Sequence, residues 1–281
     1  MMEKFAVIGH PIGHTMSPFV HKALFELSGF NGEYSVVDVE PSDLKSQLSN
    51  SLAKFIGFNV TIPHKESIFS MLDCIDESAH KCGAVNCVKR DKNKFCGFNT
   101  DAYGFVKALE SNGLSLNGNI LILGAGGAAA TIARAAIDND CCVTVAVRKS
   151  GFERAIALKE RLKPFGREIS VTTLDSITGH FDLCVNATPV GMYPSVDASP
   201  VGDDVLKNCS AVFDVVYNPT ETALLKLARK NGLKVVGGMP MLIWQAVKAH
   251  EIWYGQTFEV AEIEKIIDAA NKEMERIFYE K

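Results

Sequence analysis

The chain has 281 residues, 47% of them hydrophobic and 22% charged, and carries a net charge of -4. That length suits two domains with sizeable cores, and the absence of a concentrated basic field argues against nucleic acid or an anionic membrane as partner. No apolar run approaches membrane-spanning length, and Met1 leads almost directly into an apparent strand with no secretory leader, so a cytoplasmic protein is expected. The eight cysteines form no C-x-x-C pair, and Cys74, Cys142 and Cys184 lie in apolar stretches, so all are expected to be reduced core residues. His10 and His14 have a metal-ligand spacing only if helical, and Pro11 and Gly13 preclude that; no metal site is expected.

Phe5 to Ile8 reads as a first strand, followed by a loop and a helix reaching Leu27, with Ser17 as N-cap and Pro18 at N1. Thr15 and Ser17 place two hydroxyls at that helix start, where a carboxylate could also be held. Tyr34 to Val39 is a second strand, Pro41 to Leu52 a helix, and Phe55 to Ile62 a third strand. On it Asn59 and Thr61 share a face, by the two-residue alternation of strands. Lys65 follows Pro63 at the strand end, as a solvated charge or as a catalytic group. Ala84 to Val88 and Phe95 to Phe98 form a hairpin around the basic turn Lys89 to Lys94, with Asn86 polar inside an apolar strand. Asn99-Thr100-Asp101 then precedes a helix from Ala102 to Asn112 that stops at Gly113. Asp101 is a helix cap or a functional carboxylate.

From Gly118 the pattern alternates strand and helix, the mark of a doubly wound α/β domain. Its strands are expected at Ile120 to Leu123, Cys142 to Val147, Ile169 to Leu174, Asp182 to Asn186, Ala211 to Val216 and Lys234 to Val236. After the first comes Gly124-Ala125-Gly126-Gly127-Ala128-Ala129, a dinucleotide loop in which glycines permit a tight turn and close approach of backbone to a pyrophosphate. The helix behind it offers unpaired N–H groups and a positive dipole end. The second strand ends in Arg148 and Lys149, with Arg154 nearby and no carboxylate between Cys141 and Phe152. NAD sites usually place an acid there, so NADP is the expected cofactor. A cation about 4 Å from a 2′-phosphate gains roughly 4 kcal/mol at an effective dielectric of 20, before desolvation. Asn186 to Met192, with Thr188, and Asp214 to Pro219, with Tyr217, fall at the carboxyl edge of the sheet, where open α/β sheets bind ligands. Helices from Met241 to Tyr254, carrying Gln245, and from Ala261 to Tyr279 close the chain.

Eight motifs, in order and spacing from Phe5 to Gln245, resemble the shikimate dehydrogenase family. They are Gly9-x-Pro11-Ile12-x-His14-Thr15-x-Ser17-Pro18, Asn59-Val60-Thr61-x-Pro63-x-Lys65, Ala84-Val85-Asn86, Asn99-Thr100-Asp101, Gly124 to Ala129, Asn186-Ala187-Thr188-Pro189-x-Gly191-Met192, Tyr217-Asn218-Pro219-x-x-Thr222 and Gly238-x-x-Met241-Leu242-x-x-Gln245. The resemblance implies NADP-dependent, reversible reduction of 3-dehydroshikimate to shikimate in aromatic amino-acid biosynthesis. It implies an α/β substrate domain over residues 1–102 and 239–281 and a Rossmann-type NADP domain over residues 103–238. By position, Lys65 is the acid/base with Asp101 beside it. Thr15, Ser17 and Tyr217 hold the substrate carboxylate, and Thr61, Asn86, Gln245 and Asn59 bind ring hydroxyls. Gly124 to Ala128 (Gly124, Ala125, Gly126, Gly127 and Ala128), Arg148, Lys149, Arg154 and Thr188 serve the cofactor, with Val215 and Gly238 near the nicotinamide. The expected assembly is a monomer or homodimer.

Two positions depart from the family pattern. Thr15 stands where serine is usual, adding a methyl group to the carboxylate pocket. Val147-Arg148-Lys149 replaces the usual Asn-Arg-Thr, retaining only the arginine. A broader quinate/shikimate dehydrogenase is the nearest rival reading; a nucleotide sensor without chemistry would not need Lys65 and Asp101, nor would an interaction scaffold need polar residues at strand ends.

Overall fold

The computed structural model describes residues 2–13, 15–166 and 168–279. The chain divides into two compact units, Met1–Gly104 with Ile243–Ala270, and Phe105–Leu242 with Asn271–Lys281.

In the first unit the buried run of β1 (Glu3–Gly9) lies between two parallel neighbours, β2 (Gly32–Asp38) and β3 (Gly57–Val60). Helix α1 (Ser17–Ser28) connects β1 to β2, and α2 (Leu44–Ser49) with a 3-10 turn at Leu52–Lys54 leads to β3. The helix expected over 41–52 is therefore shorter. Its amino-terminal residues 41–43 form turns, and Ser51 belongs to the 3-10 approach. After β3 come α3 (His64–Ser67), β4 (Cys74–Ile75) and α4 (Glu77–Cys82). The antiparallel hairpin β5 (Cys87–Asp91) and β6 (Lys94–Phe98) completes the mixed sheet, in the order β2-β1-β3-β5-β6-β4. Phe58, Ile8, Leu52 and Ile68 fill one apolar cluster, and Phe5, Phe25 and Trp253 another. Burying such side chains contributes about 1.5–3 kcal/mol each.

The cysteine expectation needs correction. Cys82, Cys87, Cys141, Cys184 and Cys209 are buried thiols, but Cys142 is an exposed thiol and Cys74 is joined to Cys96 by a disulfide. The two pair in register across β4 and β6, with Cα atoms 4.6 Å apart. A two-residue strand leaves no periodic trace in sequence, which is why this pairing was not legible.

Helix α5 (Asp101–Ser111) begins in the first unit and ends in the second, which continues with β7 (Asn119–Leu123), α6 (Gly127–Asp138), β8 (Cys142–Val147), α7 (Phe152–Leu162) and β9 (Ser170–Thr173). Then follow β10 (Phe181–Asn186), α8 (Asp203–Leu206), β11 (Cys209–Asp214), α9 (Ala223–Lys230) and β12 (Lys234–Val236). All six strands are parallel, in the order β12-β11-β10-β7-β8-β9. Renumbered within the unit this is 3-2-1-4-5-6 read from the other edge, the doubly wound dinucleotide order, with its switch point between β7 and β10. Two long helices end the chain, α10 (Met239–Tyr254) and α11 (Val260–Phe278). Residues after Ala270 group with the second unit, where Thr220 donates to Glu275 at 3.0 Å and Tyr279 to Asn218 at 3.0 Å. Among the described residues no helix is long and apolar enough to cross a membrane.

Candidate active site

At the carboxyl end of β3 the chain turns through Pro63 into α3, and this short helix presents Lys65. The backbone carbonyl of Lys65 accepts from Val85 N at 2.8 Å, anchoring it beside the segment before β5. Its Nζ donates to Asp101 Oδ2 at 2.6 Å. The two side chains are 29% and 16% exposed, so the pair is shielded but open to a ligand. Asp101 begins α5, where the helix dipole favours a carboxylate. Asn99 Oδ1 accepts from the Asp101 backbone N–H at 3.0 Å, and Asp101 stands inside α5 as its first residue rather than at its cap.

Asn86 organises the rest. Its Nδ2 donates to Asp101 Oδ1 at 2.7 Å and to Thr100 Oγ1 at 2.9 Å, and its Oδ1 accepts from Thr100 N at 2.7 Å. Gln245 Oε1 lies 3.5 Å from Asn86 Nδ2 and 3.3 Å from Thr100 Oγ1. Helix α10 is fixed for this by Trp253 Nε1 donating to Val88 O at 3.0 Å and Lys89 Nζ to Ile252 O at 2.7 Å. Lys65, Asn86, Asp101 and Gln245 are thus one hydrogen-bonded group. Asn59 is buried beside it, its Nδ2 donating to Asn86 O at 3.2 Å and its Oδ1 accepting from Tyr34 at 2.7 Å. Thr61, half-buried, follows β3, and a Cβ on Gly9 would lie 2.6 Å from its methyl, so Gly9 permits the close approach.

The loop after β1 brings Thr15 and Ser17 together. Thr15 Oγ1 accepts from Ser17 N at 3.1 Å and donates to Ser17 Oγ at 3.0 Å. Helix α1 begins at Ser17 itself, and Met16 occupies the cap position without a side-chain bond. The expected Ser17 cap is therefore displaced by one residue, and Thr15 takes over the side-chain bonding. His14, part of the same motif, lies outside the described residues.

In the second unit the glycine loop follows β7. Gly124 has φ +107, and a Cβ there would meet Thr188 Cγ2 at 2.9 Å and Ala187 O at 3.1 Å. Only glycine fits this turn, which brings the loop against Thr188. Gly126 precedes α6 with no side-chain cap, and a Cβ on exposed Gly127 would meet nothing within 4 Å. The start of α6 thus leaves room beside Gly127, and the unpaired N–H groups of a helix start are what a pyrophosphate would bind. Ala125 and Ala128 keep the loop small. Arg148 and Lys149 are exposed at the end of β8, and Arg154 Nη2 lies 4.0 Å from a Cβ built on Gly126. No ion pair among the described residues engages Arg148, Lys149 or Arg154. These residues fit an NADP molecule: a glycine cradle for the pyrophosphate and unneutralised cations for a 2′-phosphate.

Val215 and Gly238 also meet, since a Cβ on Gly238 would lie 2.3 Å from Val215 O. Tyr217 is half-buried after β11, and burial raises its phenol above the ordinary value. It lies in the second unit, apart in the chain division from Thr15 and Ser17. Sequence reasoning missed Asp214, which is fully buried and accepts from Asn186 Nδ2 at 2.9 Å, Val216 N at 3.0 Å and Thr222 Oγ1 at 2.7 Å. Burial pushes its carboxyl up to about 6, against the pull of those donors. A lone acid closing an apolar strand was the available signal. Asp214 ties the ends of β10 and β11 to the cap of α9.

A doubly wound unit with a glycine loop and exposed cations, accompanied by a lysine–carboxylate pair within a hydrogen-bonded polar group, defines a nicotinamide-nucleotide-dependent dehydrogenase. Residues 7–88 match the shikimate dehydrogenase substrate binding domain. The chain is 42% identical over 254 residues to the shikimate dehydrogenase (NADP(+)) of Methanocaldococcus jannaschii, covering 89% of this chain and 90% of that protein. It is 38% identical over 260 residues to the enzyme of the same name from Caldanaerobacter subterraneus, covering 91% and 92%. The crystal structure of shikimate 5-dehydrogenase from Thermus thermophilus in complex with NADP(H) and shikimate superposes with a TM-score of 0.85, at 35% identity, over 96% of this chain and all of that one. The chain belongs to the shikimate dehydrogenase family.

Proposed function

We propose that the chain catalyses the reversible, NADP-dependent interconversion of 3-dehydroshikimate and shikimate. The observation that carries this is the Lys65–Asp101 pair at 2.6 Å, held from behind by Asn86. Bound NADPH supplies a hydride to the C3 carbonyl carbon, and NADP accepts one in reverse. Lys65 Nζ gives its proton to the C3 oxygen during reduction and takes it back during oxidation. Its charge offsets the alkoxide that develops there, in a pocket where water competes less. Asp101 orients the ammonium and shares the hydroxyl contact.

The ring hydroxyls are read by Thr61, Asn86 and Gln245, with Asn59 behind them. The paired hydroxyls of Thr15 and Ser17, with Tyr217, receive the carboxylate. Arg148, Lys149 and Arg154 hold the 2′-phosphate, and the loop Gly124 to Ala128 the pyrophosphate, with Thr188, Val215 and Gly238 lining the nicotinamide end. Tyr217 apart, substrate binding and catalysis are thus assigned to residues 1–102 with 239–281, and cofactor binding to residues 103–238. The reading includes a cytoplasmic location and a monomer or homodimer, and a net charge of -4 with no concentrated basic patch argues against nucleic-acid or membrane partners.

The test is initial-rate oxidation of shikimate followed by absorbance of the reduced cofactor, with NADP and NAD in parallel and quinate as competing substrate. Fast turnover of shikimate with NADP supports the reading. Faster turnover of quinate would favour the broader dehydrogenase, and inactivity with both would leave a nucleotide sensor.

A further inference from the structure

Beyond the groups that face substrate, the first unit contains a buried polar relay that ends on the catalytic pair. Strands β2 and β3 flank β1, with Tyr34 opposite Phe5 and Asn59 opposite Val7. The Tyr34 hydroxyl donates at 2.7 Å to Asn59 Oδ1. Asn59, 6% exposed, donates at 3.2 Å to the Asn86 carbonyl, which also accepts from Val60 N at 2.9 Å. The Asn86 side chain grips Asp101 at 2.7 Å, and Asp101 grips Lys65 at 2.6 Å.

The far end of the relay is clamped. The His21 ring stacks on Tyr34 with centroids 4.0 Å apart and planes 7° from parallel. His21 Nδ1 and His250 Nε2 are 2.8 Å apart, both rings are fully buried, and the other nitrogen of His250 bonds the Tyr254 hydroxyl. Burial holds His21 well below its ordinary value and takes His250 down to about 3, so two neutral rings share one hydrogen between them. A phenylalanine at position 34 would stack on His21 equally well. The hydroxyl is therefore surplus to packing, and what it does is satisfy and orient the Asn59 amide.

We propose that Tyr34 is a positioning residue for the reaction, fixing the Lys65–Asp101 pair through Asn59 and Asn86 while the His21–His250 pair fixes its ring plane. This rests on the reading of Lys65 and Asp101 as the acid/base pair. Removing the hydroxyl takes from the nearly buried Asn59 oxygen its 2.7 Å donor and leaves it only the neutral His21 ring, and the amide then reorients at the expense of its bond to Asn86.

The decisive experiment is a double-mutant cycle of Tyr34→Phe and Asn59→Ala in shikimate oxidation with NADP. Tyr34→Phe lowers kcat about tenfold, the order that one unpaired buried acceptor produces, with KM for shikimate changed less than about twofold. In the Asn59→Ala background the same change has no further effect, because its route to the pair is already cut. Unchanged kcat in Tyr34→Phe, or losses that multiply in the double mutant, overturns the proposal. Hydrogen exchange of the Asn86 side-chain amide, followed in nitrogen-15 spectra, decides it without turnover. Exchange about tenfold faster in Tyr34→Phe than in wild type upholds it, and equal exchange overturns it. Should the wild-type protein fail to oxidise shikimate, the acid/base reading falls, and the exchange comparison still judges the relay.

Discussion

Asn86 and Asp101 are joined by a 2.7 Å hydrogen bond that leaves the second carboxylate oxygen of Asp101 for Lys65. A residue at the bend just before β5, where a strand was expected from Ala84, thereby sets the geometry of a charged pair whose members lie 36 positions apart in sequence. Replacing Asn86 by alanine strands the Thr100 N–H, which has Asn86 Oδ1 as its acceptor in a fully buried residue. The expected loss is about 1–3 kcal/mol in urea unfolding, together with lower turnover.

Asp101→Asn separates charge from shape. Asparagine keeps the size of the side chain and its place at the start of α5, but Lys65 loses its counter-charge. One of the two acceptors of Asp101 also becomes an NH2 facing a donor, so the expected result is a fall in kcat on the order of a hundredfold with a stability loss of about 1–3 kcal/mol, measured by steady-state kinetics beside urea unfolding.

The titration of Asp214 gives a pH signature of stability. Its folded value of about 6 lies above the ordinary 3.8, so between these values the folded chain binds more protons than the unfolded chain. Stability accordingly falls as pH rises from about 4 to about 6, by roughly 3 kcal/mol from this group alone. Asp214→Asn removes that contribution. Denaturant titrations of both proteins across this range should differ in slope, with the wild type falling more steeply.

Two glycines should respond oppositely to alanine. At Gly127 the new methyl group meets no protein atom within 4 Å and stands at the open start of α6. Folding is unaffected, while KM for NADP rises. At Gly238 the methyl group would lie 2.3 Å from Val215 O, and the backbone must move. Its variant should lose about 1–3 kcal/mol of stability, as overpacking does.

Arg148→Ala should raise KM for NADP about tenfold, as expected if a third of a roughly 4 kcal/mol interaction is lost, and leave KM for NAD within about twofold. Equal losses with both cofactors would place the arginine outside the 2′-phosphate site.

Much of this architecture was legible because it obeys local rules. The apolar run before Gly124 and the small residues after it specify strand, turn and helix within a dozen positions. Polar Asn86 in an apolar segment was conspicuous in the same way, whereas Lys65 after Pro63 read equally as a solvated charge until the family motifs singled it out. What stayed hidden depends on strand order. Tyr34 meets Asn59 across β1, Cys74 meets Cys96 through a two-residue strand, and Thr100 takes its role from the fold of the Asn99–Asp101 turn. None of these leaves a periodic signal, since each pairing is fixed only once the sheet is assembled. The shift of the α1 cap from Ser17 to Met16 goes with Thr15 bonding the Ser17 N–H across a turn, an option that a hydroxyl on either residue would suggest equally.

The most direct measurement is Lys65→Ala, with kcat for shikimate oxidation and, separately, equilibrium binding of shikimate and of NADP. If Lys65 moves the proton, kcat falls by about a thousandfold while NADP binding is unchanged and shikimate binding weakens only modestly. A variant that turns over like the wild type, or one whose loss is recovered entirely by saturating shikimate, would contradict the account.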